Sequence, residues 1–151
     1  MISKILMPTD GSPTAKKAVK YAAGLAKQLD ATITLLSVIE IDLGAFFAQT
    51  VSAADSPTHL IEPMENYLKQ TAELYLAEAE TILKQNGVQS KKVIRSGHPV
   101  EVIIKEAIKS KVDVIVMGSH GKSALKAAML GSVTFGVIHK DTKIPVLVVR
   151  K

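Results

Sequence analysis

The sequence predicts an α/β fold of the open, doubly wound kind: a single domain over residues 1–151 in which a five-stranded parallel sheet carries helices on both faces. Three observations predict it. Short apolar runs alternate with longer segments of helical periodicity, the mark of βαβ units. Two of those runs, residues 112–117 and 146–149, are nearly continuous in Val, Ile and Leu, as expected of strands covered on both sides. A chain of 151 residues is also the usual size of one domain, large enough to bury about two thirds of its unfolded surface in one core.

The elements follow in order. The first strand is expected at residues 4–7, ended by Pro8. Ser12 then stands as an N-cap with Pro13 in the first turn, and Ala15, Ala18, Val19, Ala22, Ala26 and Leu29 recur at helical spacing. The second strand covers residues 32–39. After it come about 23 residues, 40–62, including Phe46, Phe47, Val51 and Leu60. That is too long for an ordinary connector, and it reads equally as a flap or contact surface and as a surface insertion. The second helix is expected over residues 63–86, with Met64, Leu68, Tyr75, Ala79 and Ile82 on its inner face and Gly87 past its end. A third strand at 92–95 leads to a helix that opens at Pro99 and buries Val100, Ile103, Ile104, Ala107 and Ile108. The fourth strand is residues 112–117, a fourth helix lies within 123–139, and the fifth strand is residues 146–149.

Composition excludes several classes. With no Cys and four scattered His (His59, His98, His120, His139), neither a disulfide framework nor a cysteine zinc site can form. No apolar run reaches the roughly 18 residues of a membrane span, and the start of the chain shows no signal-peptide pattern, so a cytoplasmic protein is expected. The net charge of +5 is uneven. Residues 1–87 hold 7 Lys/Arg against 10 Asp/Glu, and residues 88–151 hold 12 against 4. The second half should therefore favour anions. Six aromatic residues and no basic run longer than two argue against nucleic acid, which needs stacking platforms.

In an open parallel sheet, ligands bind beyond the carboxyl ends of the strands where strand order reverses. The exits of the first and fourth strands are Pro8-Thr9-Asp10-Gly11-Ser12 and Gly118-Ser119-His120-Gly121. After Gly121, nine residues lead to Gly131-Ser132 and an apolar helical segment. Glycines let backbone amides approach a phosphate with no Cβ in the way, and the opening of a helix favours negative charge. Each glycine also has a plain structural reading, as a turn, a loop residue or a packing site; placed together after a buried strand, they point to phosphate. A Walker A loop fails, because the position that should be its first glycine is Val116. No GxGxxG, GxSxG or HExxH occurs.

The Gly118-x-x-Gly121, nine-residue, Gly131-Ser132 pattern, with Pro8-Thr9-Asp10-Gly11-Ser12 and the terminal Pro145-Val146-Leu147-Val148-Val149-Arg150, resembles the ATP-binding branch of the universal stress protein family over essentially the whole chain. The resemblance implies strand order 3-2-1-4-5, a homodimer, and ATP bound with a divalent metal, Mg²⁺ or Mn²⁺. Pro8, Thr9 and Asp10 would line the base and ribose region, Val38 would contact adenine, and Met117 and Gly118 would border the ribose. His120 and Gly121 would begin the phosphate loop, and Gly131, Ser132, Val133 and Thr134 would hold phosphates. Ser123-Ala124 departs from the family pattern, which often has a small glycine-containing step there.

Several residues keep two readings. Asp10 fits a metal or ribose ligand and also the Asx residue of a strand-to-helix turn. His120 fits a ligand contact and also a solvent-facing side chain. Lys122 and Lys126 fit phosphate partners and also ordinary exposed lysines. His98 reads as structural, and Tyr21, Tyr67 and Tyr75 as core. No residue stands out to position an attacking water, which favours a nucleotide-dependent switch or stress-response regulator with at most slow hydrolysis. An ATP-hydrolysing or phosphoryl-transferring enzyme and a dimeric interaction protein that uses no nucleotide are the alternatives. In the expected order the fifth strand is an edge, and residues 144–149 are apolar, with Ile144, Val146, Val148 and Val149 β-branched. Such an edge invites antiparallel pairing with its own copy.

Overall fold

The structure is a computed structural model that describes residues 1–41, 58–120, 130–140 and 142–150, with the backbone alone for 58–60. The strands are β1 (Lys4–Pro8), β2 (Thr32–Ile39), β3 (Ser90–Ser96), β4 (Val114–Gly118) and β5 (Val146–Val149). The helices are α1 (Pro13–Leu29), α2 (Thr58–Gln85), α3 (Pro99–Lys109) and α4 (Ser132–Ile138). The strands form one parallel sheet in the order β3-β2-β1-β4-β5. This is the expected order, and it puts the reversal between β1 and β4.

Alternation along the strands divides the core. Ile5, Met7, Ile33, Leu35, Val114 and Val116 pack with α1 and α2, whereas Leu6, Leu36, Ile115 and Met117 pack with α3 and α4. The inner face of α1 is mostly alanine, Ala15 to Ala26, and is fully buried. Small side chains let this helix lie close to the sheet. Ser12 caps it, with Oγ accepting from the Ala15 N–H at 3.1 Å.

Some boundaries and faces differ from expectation. Helix α2 begins at Thr58 and carries Pro63 inside it. A proline so near the start removes only one ladder bond, so the helix continues through it. Its buried stripe is Ala72, Leu76, Ala79 and Leu83, a rotation from the expected one that leaves Met64, Leu68, Tyr75 and Ile82 half-buried. Leu29, Ile108, Tyr21 and Tyr67 are exposed, and Ile104 is half-buried. On α3 the inward position next to Ala107 is taken by Glu106, 5% exposed, whose carboxylate accepts from Arg95 Nε at 3.2 Å and Ser110 Oγ at 3.1 Å. The ladder of β4 starts at Val114 rather than at Val112. The Val112 N–H is still bonded to Ala107 O at the end of α3, and Asp113 turns its carboxylate to the N–H groups of Ser3 and Lys4 at 2.8 and 2.9 Å. Strand β3 is longer than expected, reaching from Ser90 to Ser96.

The two sheet edges differ in chemistry. Strand β3 carries Lys91, Lys92 and Arg95, while β5 is Val-Leu-Val-Val.

Candidate functional site

At the exit of β1 the backbone is locked by its own side chains. The Thr9 N–H donates to Leu36 O at 2.9 Å, extending the ladder past Pro8. Thr9 Oγ1 accepts from the Gly11 N–H at 3.3 Å, and Asp10 Oδ1 accepts from the Ser12 N–H at 2.9 Å. The Asx turn is thus present, and Asp10 also lines the cleft described below. Gly11 lies at φ +75°, and a Cβ there would fall 2.2 Å from the ring of Tyr75. Only glycine satisfies both constraints.

At the exit of β4 several polar groups are tied to neighbouring elements. Gly118 lies so close to α1 that a Cβ would sit 3.0 Å from Thr14 Cγ2 and 3.1 Å from the Thr14 backbone. The Gly118 carbonyl accepts from Thr134 Oγ1 at 2.9 Å. The Ser119 N–H donates to Val149 O at 2.9 Å, and the Gly131 N–H donates to Ser119 O at 2.8 Å. Both ring nitrogens of His120 are engaged, Nε2 with Thr14 Oγ1 at 3.2 Å and Nδ1 with Ser119 Oγ at 3.0 Å. The imidazole therefore bridges α1 to the β4 exit in a fixed orientation.

Gly131 is the N-cap of α4, at φ −63° and ψ 154°. The N–H groups of Ser132, Val133 and Thr134 have no carbonyl four residues back within the helix. Thr134 is buried and spends its hydroxyl hydrogen on Gly118, so its side chain braces the site.

These pieces surround one cleft of ≈ 290 Å³ at the carboxyl ends of β1 and β4. Its apolar wall is Pro8, Leu36, Val38, Pro99, Ile103 and Met117; Thr9, Asp10, Ser12, Glu40, His120 and Ser132 supply polar groups. Eleven of the twelve residues singled out from the sequence line it together: Pro8, Thr9, Asp10, Val38, Met117, Gly118, His120, Gly131, Ser132, Val133 and Thr134. The twelfth, Gly121, lies outside the described residues, as do Lys122, Lys126 and the Ser123-Ala124 step. His98 occupies the N-cap position of α3 without a side-chain cap bond.

Sequence reasoning missed Ser12, Ala15, Leu36, Glu40, Pro99 and Ile103 as lining residues. Leu36 was within reach, since it shares the face of Val38 two residues on. Pro99 and Ile103 were visible only as helix start and helix stripe, because their approach to the cleft depends on how α3 lies across the sheet. Among the described residues no group of three or more His, Asp or Glu is placed to hold a metal, and the lining includes Asp10 and Glu40 but no Lys or Arg.

The model of the universal stress protein family matches residues 1–150. The chain belongs to the universal stress protein family. Universal stress protein MJ0577 of Methanocaldococcus jannaschii is 39% identical over 158 residues, covering 100% of this chain and 96% of that protein. Universal stress protein YxiE of Bacillus subtilis is 34% identical over 154 residues, covering 99% of this chain and 100% of the relative. The solved structure of MJ0577 superposes with a TM-score of 0.82 at 35% identity, over 100% of this chain and 97% of that one. A universal stress protein solved in complex with cAMP superposes at 0.69 with 22% identity, over 99% and 97% of the two chains, and supports the fold. Among the described residues no helix of this family member is long and apolar enough to cross a membrane.

Proposed function

We propose that this universal stress protein binds ATP with Mg²⁺ or Mn²⁺ in the cleft between β1 and β4 and acts as a nucleotide-dependent switch or stress-response regulator. The observation that carries this reading is the convergence of eleven sequence-selected residues from four separate segments on one cleft at the strand-order reversal. The division of that cleft suits a nucleotide. Leu36, Val38, Ile103 and Met117 offer an apolar slot for adenine. Thr9 and Asp10 offer acceptors to ribose hydroxyls, and the amides of residues 132–134, which have no intrahelical partner, would serve the phosphates. The described lining holds no Lys or Arg, and Lys122 and Lys126, the cations the sequence offers for phosphate, lie outside the described residues. A divalent ion of this class keeps several waters and binds through phosphate oxygens and one or two carboxylates; Asp10 is the carboxylate for that role.

Binding is favoured over turnover because His120, the only imidazole among the described lining residues, has both nitrogens engaged by Thr14 and Ser119. It would have to leave one of them to accept a proton from water. We place the protein in the cytoplasm as one domain that pairs through β5 into a homodimer, with ATP rather than nucleic acid as its ligand.

Calorimetric titration with Mg-ATP, with mass spectrometry of small molecules released on denaturation, tests the reading. At a hundredfold excess over Kd, ATP should raise stability by about 2.7 kcal/mol. No heat and no change in melting temperature at millimolar Mg-ATP would refute it.

A further inference from the structure

The opposite end of the sheet holds a second cavity, ≈ 370 Å³, which the nucleotide reading does not use. Its lining includes Lys4, Thr32, Thr34, Lys91 and Ser110, and no acidic residue. The register explains why these side chains meet. Lys4 pairs with Thr32 and Thr34 with Lys91 across adjacent parallel strands, so their Cα atoms are about 4.8 Å apart and their side chains share a face. That face is the one covered by α3, because Leu6, Leu36 and Val93, each two residues further along its strand, pack there. Two lysines on β1 and β3 thus flank two threonines on β2.

Three features mark this cavity as a site for an anion. Neither Lys4 nor Lys91 forms an ion pair among the described residues, so both ammonium groups are available to an anion. Thr34 is 9% exposed and its hydroxyl has no hydrogen-bond partner among the described residues, although buried hydroxyls are normally paired. No fully buried side-chain polar atom there lacks a partner, so the Thr34 oxygen keeps accessible surface, and the cavity that Thr34 lines is where it is reached. The nearby acids are already engaged: Asp113 accepts from the N–H groups of Ser3 and Lys4, and Glu106, which accepts from Ser110 Oγ, has its charge met by Arg95.

We propose that this cavity binds a phosphate group, as inorganic phosphate or as the phosphate of a small monoester. Two ammonium charges match a group that carries close to two negative charges at neutral pH, and the Thr34 hydroxyl supplies a neutral donor between them. The site is distinct from the first cleft. Thr34 and Val38 lie on the same face of β2 four residues apart, about 13 Å along the strand.

The test is a titration of the full chain with inorganic phosphate and, separately, glycerol 3-phosphate, followed by backbone amide NMR. Saturable shifts should appear at Thr34 and Lys91. They should weaken at least about tenfold in Lys4→Ala/Lys91→Ala and in Thr34→Val, the loss expected for a charge-assisted or buried hydrogen bond, and persist in Gly131→Val. Tighter binding of glycerol 3-phosphate assigns the site to a monoester, and equal binding assigns it to the free anion. The proposal is overturned if sodium chloride at matched ionic strength gives the same shifts, if the shifts are confined to residues 131–134, or if the lysine variant binds like the parent.

Discussion

The same substitution should have opposite effects at two glycines 13 positions apart. At Gly11 the backbone stands at φ +75° and a Cβ would lie 2.2 Å from Tyr75 Cδ1 and 2.4 Å from Cε1. Alanine there meets two costs: the left-handed conformation, about 1–2 kcal/mol, and displacement of an aromatic ring from a packed position, about 1–3 kcal/mol. Gly11→Ala should therefore destabilise by about 2–5 kcal/mol, or about 4–20 °C in Tm for a chain of this length. Gly24 sits on the exposed side of α1 with nothing within 4 Å of the added Cβ. Gly24→Ala should stabilise by about 0.5–1 kcal/mol, because alanine loses less backbone freedom in a helix. Urea unfolding followed by circular dichroism reads both. A double variant, Gly11→Ala with Tyr75→Ala, separates the two costs: removing the ring should recover the packing share and leave the backbone share, giving a coupling of about 1–3 kcal/mol. The reasoning fails if Gly11→Ala lies within about 0.5 kcal/mol of the parent, or if the two substitutions are additive.

Thr134→Val should cost about 1–2 kcal/mol in the same assay, since it removes the donor to the Gly118 carbonyl and leaves that carbonyl short of a partner. The N–H groups of Ser3 and Lys4 beside Asp113 hold its carboxyl below its ordinary value. A depressed value gives stability that is present above the unfolded pKa, about 3.9, and lost as pH falls through the folded one; acid unfolding should show this slope flattened in Asp113→Asn. Gly131→Val should abolish ATP binding with far-UV dichroism unchanged, because φ −63° and ψ 154° accept a branched residue while its side chain would fill the space a phosphate approaches; ATP affinity equal to the parent's would contradict the site. Sedimentation equilibrium should find a dimer in the parent and a monomer in Val148→Pro, which deletes a ladder donor in mid-strand; a monomeric parent at tens of micromolar would refute pairing through β5.

The sequence displayed what is local and periodic. The continuous apolar runs became β4 and β5, Ser12-Pro13 opened α1, and Gly131-Ser132 opened α4, so the glycine spacing led directly to the cleft. What escaped was set by tertiary packing. The inner face of α2 is not the one carrying its larger side chains, because the helix turns Ala72 and Ala79 to the sheet beside Leu76 and Leu83. Glu106 looks like a surface residue in the sequence, and its burial depends on how the helix folds back onto β3, where Arg95 meets it. The role of Gly118 was also only half visible: the glycine is demanded by Thr14 on the neighbouring helix as well as by its place at a strand end.

The unlike rims of the sheet limit how such molecules can assemble. Strand β3 presents Lys91, Lys92 and Arg95; Glu80 and Glu106 pair with the last two, and a second copy brought alongside would still set the Lys91 charges against one another. Strand β5 bears no charge over its four residues. A molecule with a single receptive border can take on one neighbour, and if that neighbour joins by the same border, both are used up. Under the pairing proposed through β5, growth would stop at a pair, with no open end from which a fibre could extend.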